Sequence, residues 1–81
     1  MCEKLETYIN GDLLPFLESA RSAYEREGDE DRVFQIDDLS RSLVEMVEDI
    51  RNGVMESWEC GELYEEFRRY RESGDFLDKI C

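Results

Sequence analysis

"QIDDLSRSLVEMVEDI", residues 35–50, decides the fold. Ile36, Leu39, Leu43, Met46, Val47 and Ile50 recur at three- and four-residue steps, and Asp37, Asp38, Glu45, Glu48 and Asp49 fill much of the remaining surface. This is the pattern of an amphipathic helix with near-heptad spacing. Working outward, either Val33 or Phe34 continues the apolar stripe, and a helix over about residues 31–52 is predicted. Asn52-Gly53 is a stop signal, yet Val54 and Trp58 prolong the same stripe, so two positions for the helix end stay open.

Upstream, Leu5, Tyr8, Ile9, Leu13, Phe16, Leu17, Ala20, Ala23 and Tyr24 make a second stripe, interrupted by "INGDLLP". Asn10-Gly11 suits a helix end, Asp12 a cap and Pro15 a first turn. The expectation is a short N-terminal helical turn followed by a main helix over about 12–27. The alternative is one helix that runs through and kinks at Pro15, which lacks an N–H and crowds the Gly11 carbonyl. Gly28 suits a left-handed C-cap, with Asp29 or Asp31 capping the next helix.

Downstream, "ELYEEFRRYRES" carries Leu63, Tyr64, Phe67 and Tyr70 on one stripe and ends at Ser73-Gly74. The start of this third helix lies near Ser57 or near Gly61. Asp75 is expected to cap a last turn, "DFLDKI", that closes the core with Phe76, Leu77 and Ile80. No window alternates in the manner of a strand. The reading is all-α: one domain, residues 1–81, forming a small bundle of three main helices with short terminal helical segments.

The chain has no His, which removes the usual general base and imidazole metal ligation. Glycine-rich phosphate loops and zinc-type cysteine spacings are missing, so no cofactor and no metal are expected, and the chain reads as no enzyme. "GDEDRVFQIDDL" has the acids of a calcium loop without its glycine or closing Glu. ExxE spacing at Glu45/Glu48 and Glu62/Glu65 is suggestive of magnesium binding, but among fourteen Glu it occurs six times and is a product of crowding. Trp58, Tyr64, Phe67 and Tyr70 read as core aromatics. In "RRYR", Arg69 is expected to pair with Glu65 and Arg68 with Glu72.

Cys2, Cys60 and Cys81 are odd in number and widely spaced; they read as three free thiols, one buried and two near the termini. "MCEKLETYING" lacks a secretion signal, and no apolar run nears the roughly 20 residues of a membrane span. A cytoplasmic setting is expected.

The net charge of −12 is uneven: residues 25–49 hold ten acids against three bases. Such a chain is repelled by nucleic acid and by anionic membranes, so a charged partner is expected to be basic. Asp38, Glu45, Asp49 and, if the helix continues, Glu56 follow at steps of about 10, 6 and 10 Å, comparable to the Debye length of about 8 Å. Asp37, Glu48, Glu59, Glu62 and Glu66 widen this band. Repulsion at these spacings costs stability.

Three readings follow. In the first, the band of Asp37, Asp38, Glu45, Glu48, Asp49, Glu56 and Glu59 binds a basic, nucleic-acid-binding protein by imitating its phosphate track. Anti-CRISPR, anti-restriction, antitoxin and immunity proteins act in this way. In the second, the chain is a homo-oligomeric helical adaptor, a homodimer that shares the stripe of the second helix. In the third, acid is a compositional background of the source genome.

Overall fold

A computed structural model describes residues 2–74 and 76–80, without the side chains of Lys79 and Ile80. The elements are α1 (Glu3–Tyr8), a π-helical segment (Ile9–Leu13), α2 (Leu14–Glu27), α3 (Glu30–Arg51), α4 (Ser57–Ser73) and α5 (Phe76–Ile80). No strand occurs among the described residues.

The expected break near Asn10-Gly11 does not exist. Tyr8, Ile9, Leu13 and Leu14 all keep right-handed helical dihedrals, so α1, the π segment and α2 form one continuous helix. Two facts explain why the wider turn falls here. Pro15, in the first turn of α2, has no N–H to donate to the Gly11 carbonyl, and the Leu14 N–H instead bonds back to Ile9. The core stripe then steps by four: Leu5, Ile9, Leu13 and Leu17 are each 0–1% exposed. In an ideal α-helix each such step overshoots by about 40°, and three would carry the stripe about a third of the way round. A π turn takes up more residues than an α turn, so it holds all four against the core.

Chain direction follows from the cross-links between helices. Arg21–Asp37 at 2.7 Å and Arg51–Glu6 at 3.5 Å run α3 antiparallel to the first helix. Cys2–Cys60, the Tyr8–Tyr64 edge contact at 5.5 Å and Arg71–Asp12 at 3.2 Å run α4 parallel to it. The result is an up-down-up bundle closed at one end by α5, where Phe76 meets Phe16 and Phe67 edge-on. Ile36, Leu43 and Val47 from α3, with Cys60 and Phe67 from α4, complete the buried core.

The turns match their residues. Gly28 takes φ 78°, and the Asp29 side chain accepts a 3.2 Å bond from the Arg32 N–H, so α2 ends and α3 starts within two residues. At the other end of α3, Gly53 takes φ 72° and the Val54 N–H bonds to the Asp49 carbonyl at 3.0 Å. The helix therefore stops at Arg51 and does not continue to Trp58. α4 begins at Ser57, the earlier of its two expected starts.

Three expectations need correction, and one open choice, between Val33 and Phe34, is decided. Cys2 and Cys60 are joined in a disulfide across a sequence separation of 58, so they are not free thiols. Parallel packing of α1 on α4 brings the two N-terminal turns together, which no local spacing discloses. Trp58 is 64% exposed because it lies on the far side of α4 from Cys60 and Phe67. Phe34 is 68% exposed, and the neighbouring Val33 is the half-buried residue of the pair. Finally, Arg68 pairs with Glu72 at 3.2 Å as expected, whereas no Glu65–Arg69 pair forms. The expected Asp75 cap, the core role of the Ile80 side chain and Cys81 lie outside the described residues.

Candidate functional site

Twenty-two residues of α3 offer one long uninterrupted face to solvent. At about 100° per residue, Ile36, Leu43 and Val47 point to the core, and Asp37, Asp38, Glu45, Glu48 and Asp49 share a sector of about 120° on the opposite side. All five are exposed. Phe34 and Arg41 stand in the same sector.

The five acids differ in what they touch. Asp37 receives both Arg21 Nε (2.7 Å) and Nη2 (3.4 Å), and Arg21 Nη1 reaches Glu25 at 2.9 Å. Hydrogen bonding to Asp37 and its charge hold the Arg21 guanidinium above its ordinary pKa range. Asp38 faces Arg41 at 3.8 Å, a loose pair between two exposed side chains that screening renders weak. Among the described residues, Glu45, Glu48 and Asp49 have no ion-pair partner within 4.0 Å. On this face the uncompensated charge thus lies in the last two turns of α3.

Glu56 and Glu59 are not part of this face. With α3 ended at Arg51, Glu56 becomes the N-cap of α4, and Glu59 accepts a 3.3 Å bond from its backbone N–H. Their carboxylates satisfy and charge-complement a helix N-terminus, a structural task. The seven acids singled out by sequence therefore divide into five on one face of α3 and two committed to capping.

Sequence reasoning missed a second feature, a cavity of about 330 Å³ beside the α2–α3 turn, lined in part by Arg21, Glu25, Glu30, Val33, Phe34 and Asp37. Phe34 could have been found from its helical angle, which places it among the acids and not in the stripe. A further cavity of about 470 Å³ opens beside the π segment, between Tyr8, Gly11, Asp12 and Tyr64. Burial, and then the Asp12 carboxylate, push the Tyr8 phenol above its ordinary pKa.

Neither ExxE pair is assembled into a metal centre: among the described residues no group of three or more Cys, Asp or Glu is placed to hold an ion. Among the described residues no helix is long and apolar enough to cross a membrane. Comparison with protein-family models, with curated proteins and with solved structures finds no match.

Proposed function

We propose that this chain is a small acidic inhibitor that binds, through the outer face of α3, a basic protein whose normal ligand is a nucleic acid. One observation carries the reading. Glu45, Glu48 and Asp49 stand exposed and unpaired on a single rigid helix, although eight arginines are available in the chain. Four of those arginines are spent elsewhere, bridging helices at Asp37, Glu6, Asp12 and Asp78. Left unneutralised, the face pays for its own repulsion and gains a field that steers a cationic surface toward it.

The likeness to a nucleic acid is one of sign and rigidity, not of density. Five acids between Asp37 and Asp49 span about 18 Å of helix, one charge per about 4 Å, against one per about 1.7 Å of duplex. Affinity must therefore draw on apolar contacts as well as on charge.

The homo-oligomeric adaptor loses its expected interface, since the α3 stripe of Ile36, Leu43 and Val47 is buried inside the monomer. The cytoplasmic setting also loses one support, because a Cys2–Cys60 bond is favoured by oxidising surroundings.

The test is affinity capture from a lysate of the source organism at low salt, followed by a nucleic-acid-binding assay on the captured protein. The wild-type chain is expected to block that binding, and a D38K/E45K/D49K variant with unchanged helical circular dichroism is expected not to. Equal capture by the two would remove the proposal.

A further inference from the structure

Phe34 is an expensive residue to leave in water, and the helix angle explains why the core cannot use it. It projects among acids from the outer side of α3, while Val33 beside it turns inward. The cavity next to it has an apolar wall, Val33 and Phe34, and three carboxylates, Glu25, Glu30 and Asp37. Arg21 lies between Glu25 and Asp37 and donates three hydrogen bonds to them at 2.7–3.4 Å. Three of its five N–H donors are engaged, so it holds the two carboxylates in place while leaving most of their acceptor sites open. Counting all four charged groups, the groove remains net negative by two.

We infer that this groove seats an arginine side chain of a protein partner, with the guanidinium stacked on the Phe34 ring and bonded to the carboxylates of Glu30 and Asp37. An anionic ligand is repelled by the three carboxylates. A second copy of this chain brings −12 of the same sign to the contact. Among cations, arginine fits better than lysine. Its guanidinium is planar, weakly hydrated and forked, so one group stacks on an aromatic face and meets carboxylates edge-on, whereas an ammonium is a compact, strongly hydrated point charge. The inference rests on the reading of α3 as a protein-binding face and adds to it the residue type that is recognised and the aromatic that recognises it.

The experiment titrates the chain into fluorescein-labelled octa-arginine and, separately, octa-lysine at low salt, following anisotropy. The two probes carry equal charge, so the long-range field of the acidic face attracts them equally. The wild-type chain is expected to bind the arginine peptide about three- to tenfold more tightly. F34A, which removes no core contact, is expected to abolish that preference and leave octa-lysine affinity unchanged. Amide shifts on adding octa-arginine are expected to centre on Gly28–Asp38. An arginine-to-lysine ratio that is near one in the wild type, or that survives F34A, overturns the inference. The D38K/E45K/D49K variant separates the two claims. Retained arginine preference with undiminished binding of both peptides condemns the α3 reading, whereas loss of overall affinity with no effect of F34A condemns only the Phe34 groove.

Discussion

Reducing the Cys2–Cys60 bond is expected to cost this protein a large part of its stability. The bond closes a loop across a sequence separation of 58, tying the start of α1 to the first turn of α4. In the chain-entropy treatment, a loop of that length removes about 14 cal/mol/K from the unfolded ensemble, or about 4 kcal/mol at 25 °C. Domains of this size are stable by roughly 5–15 kcal/mol in total, so the bond supplies a substantial share. With about 4–8 °C of melting temperature per kcal/mol, the expected fall is on the order of 20 °C. The assay is thermal unfolding by circular dichroism, with and without a phosphine reductant, on the wild type and on C2S. Cys2 is the better position to replace, because it is half-buried, whereas Cys60 is 3% exposed and a serine there adds the burial of a hydroxyl. C2S is expected to melt where the reduced wild type melts, and to be indifferent to reductant. A wild type that shifts by less than about 5 °C on reduction would refute the loop-closure reasoning.

Other expectations follow from the same geometry. Leu13→Ala removes a side chain with no exposure from the middle of the first helix and is expected to cost about 2–5 kcal/mol in urea unfolding. Arg71 lies 3.9 Å over the Phe16 ring and 3.2 Å from Asp12, so Arg71→Ala, which loses both contacts, is expected to cost about 1–2 kcal/mol, more than Arg68→Ala, whose ion pair with Glu72 is exposed. Glu45→Gln with Glu48→Gln relieves repulsion on the outer face of α3 and is expected to raise the melting temperature slightly, an effect that 0.5 M salt should erase. Because burial raises the Tyr8 pKa, the native state holds that proton longer than the unfolded chain does. Its contribution is present below the ordinary tyrosine value and is lost as pH rises through the higher native one, so the wild type is expected to lose stability in alkali more steeply than Tyr8→Phe.

Glu45, Glu48 and Asp49 show how far the candidate face was readable in advance. Their place opposite Ile36, Leu43 and Val47 is a matter of helical angle, which spacing alone specifies. Whether an arginine neutralises each of them is not, because Arg21 comes to Asp37 from another helix while Arg51 turns away to Glu6. Glu56 misled for a related reason. Its step of seven from Asp49 has meaning only inside one helix, and Gly53 ends that helix first.

What the residues determined on their own was local: three amphipathic helices and the left-handed turn at Gly28 between the first two of them. Hydrogen bonds and periodicities within a few residues control these, so a linear reading reaches them. Tertiary packing decided the rest. It turned Trp58 outward, because α4 packs through the side that carries Cys60 and Phe67. It widened the turn before Pro15 so that Leu5, Ile9, Leu13 and Leu17 all reach the core. It also brought Cys2 to Cys60, because a bond between residues so far apart depends on the direction in which α4 returns along α1.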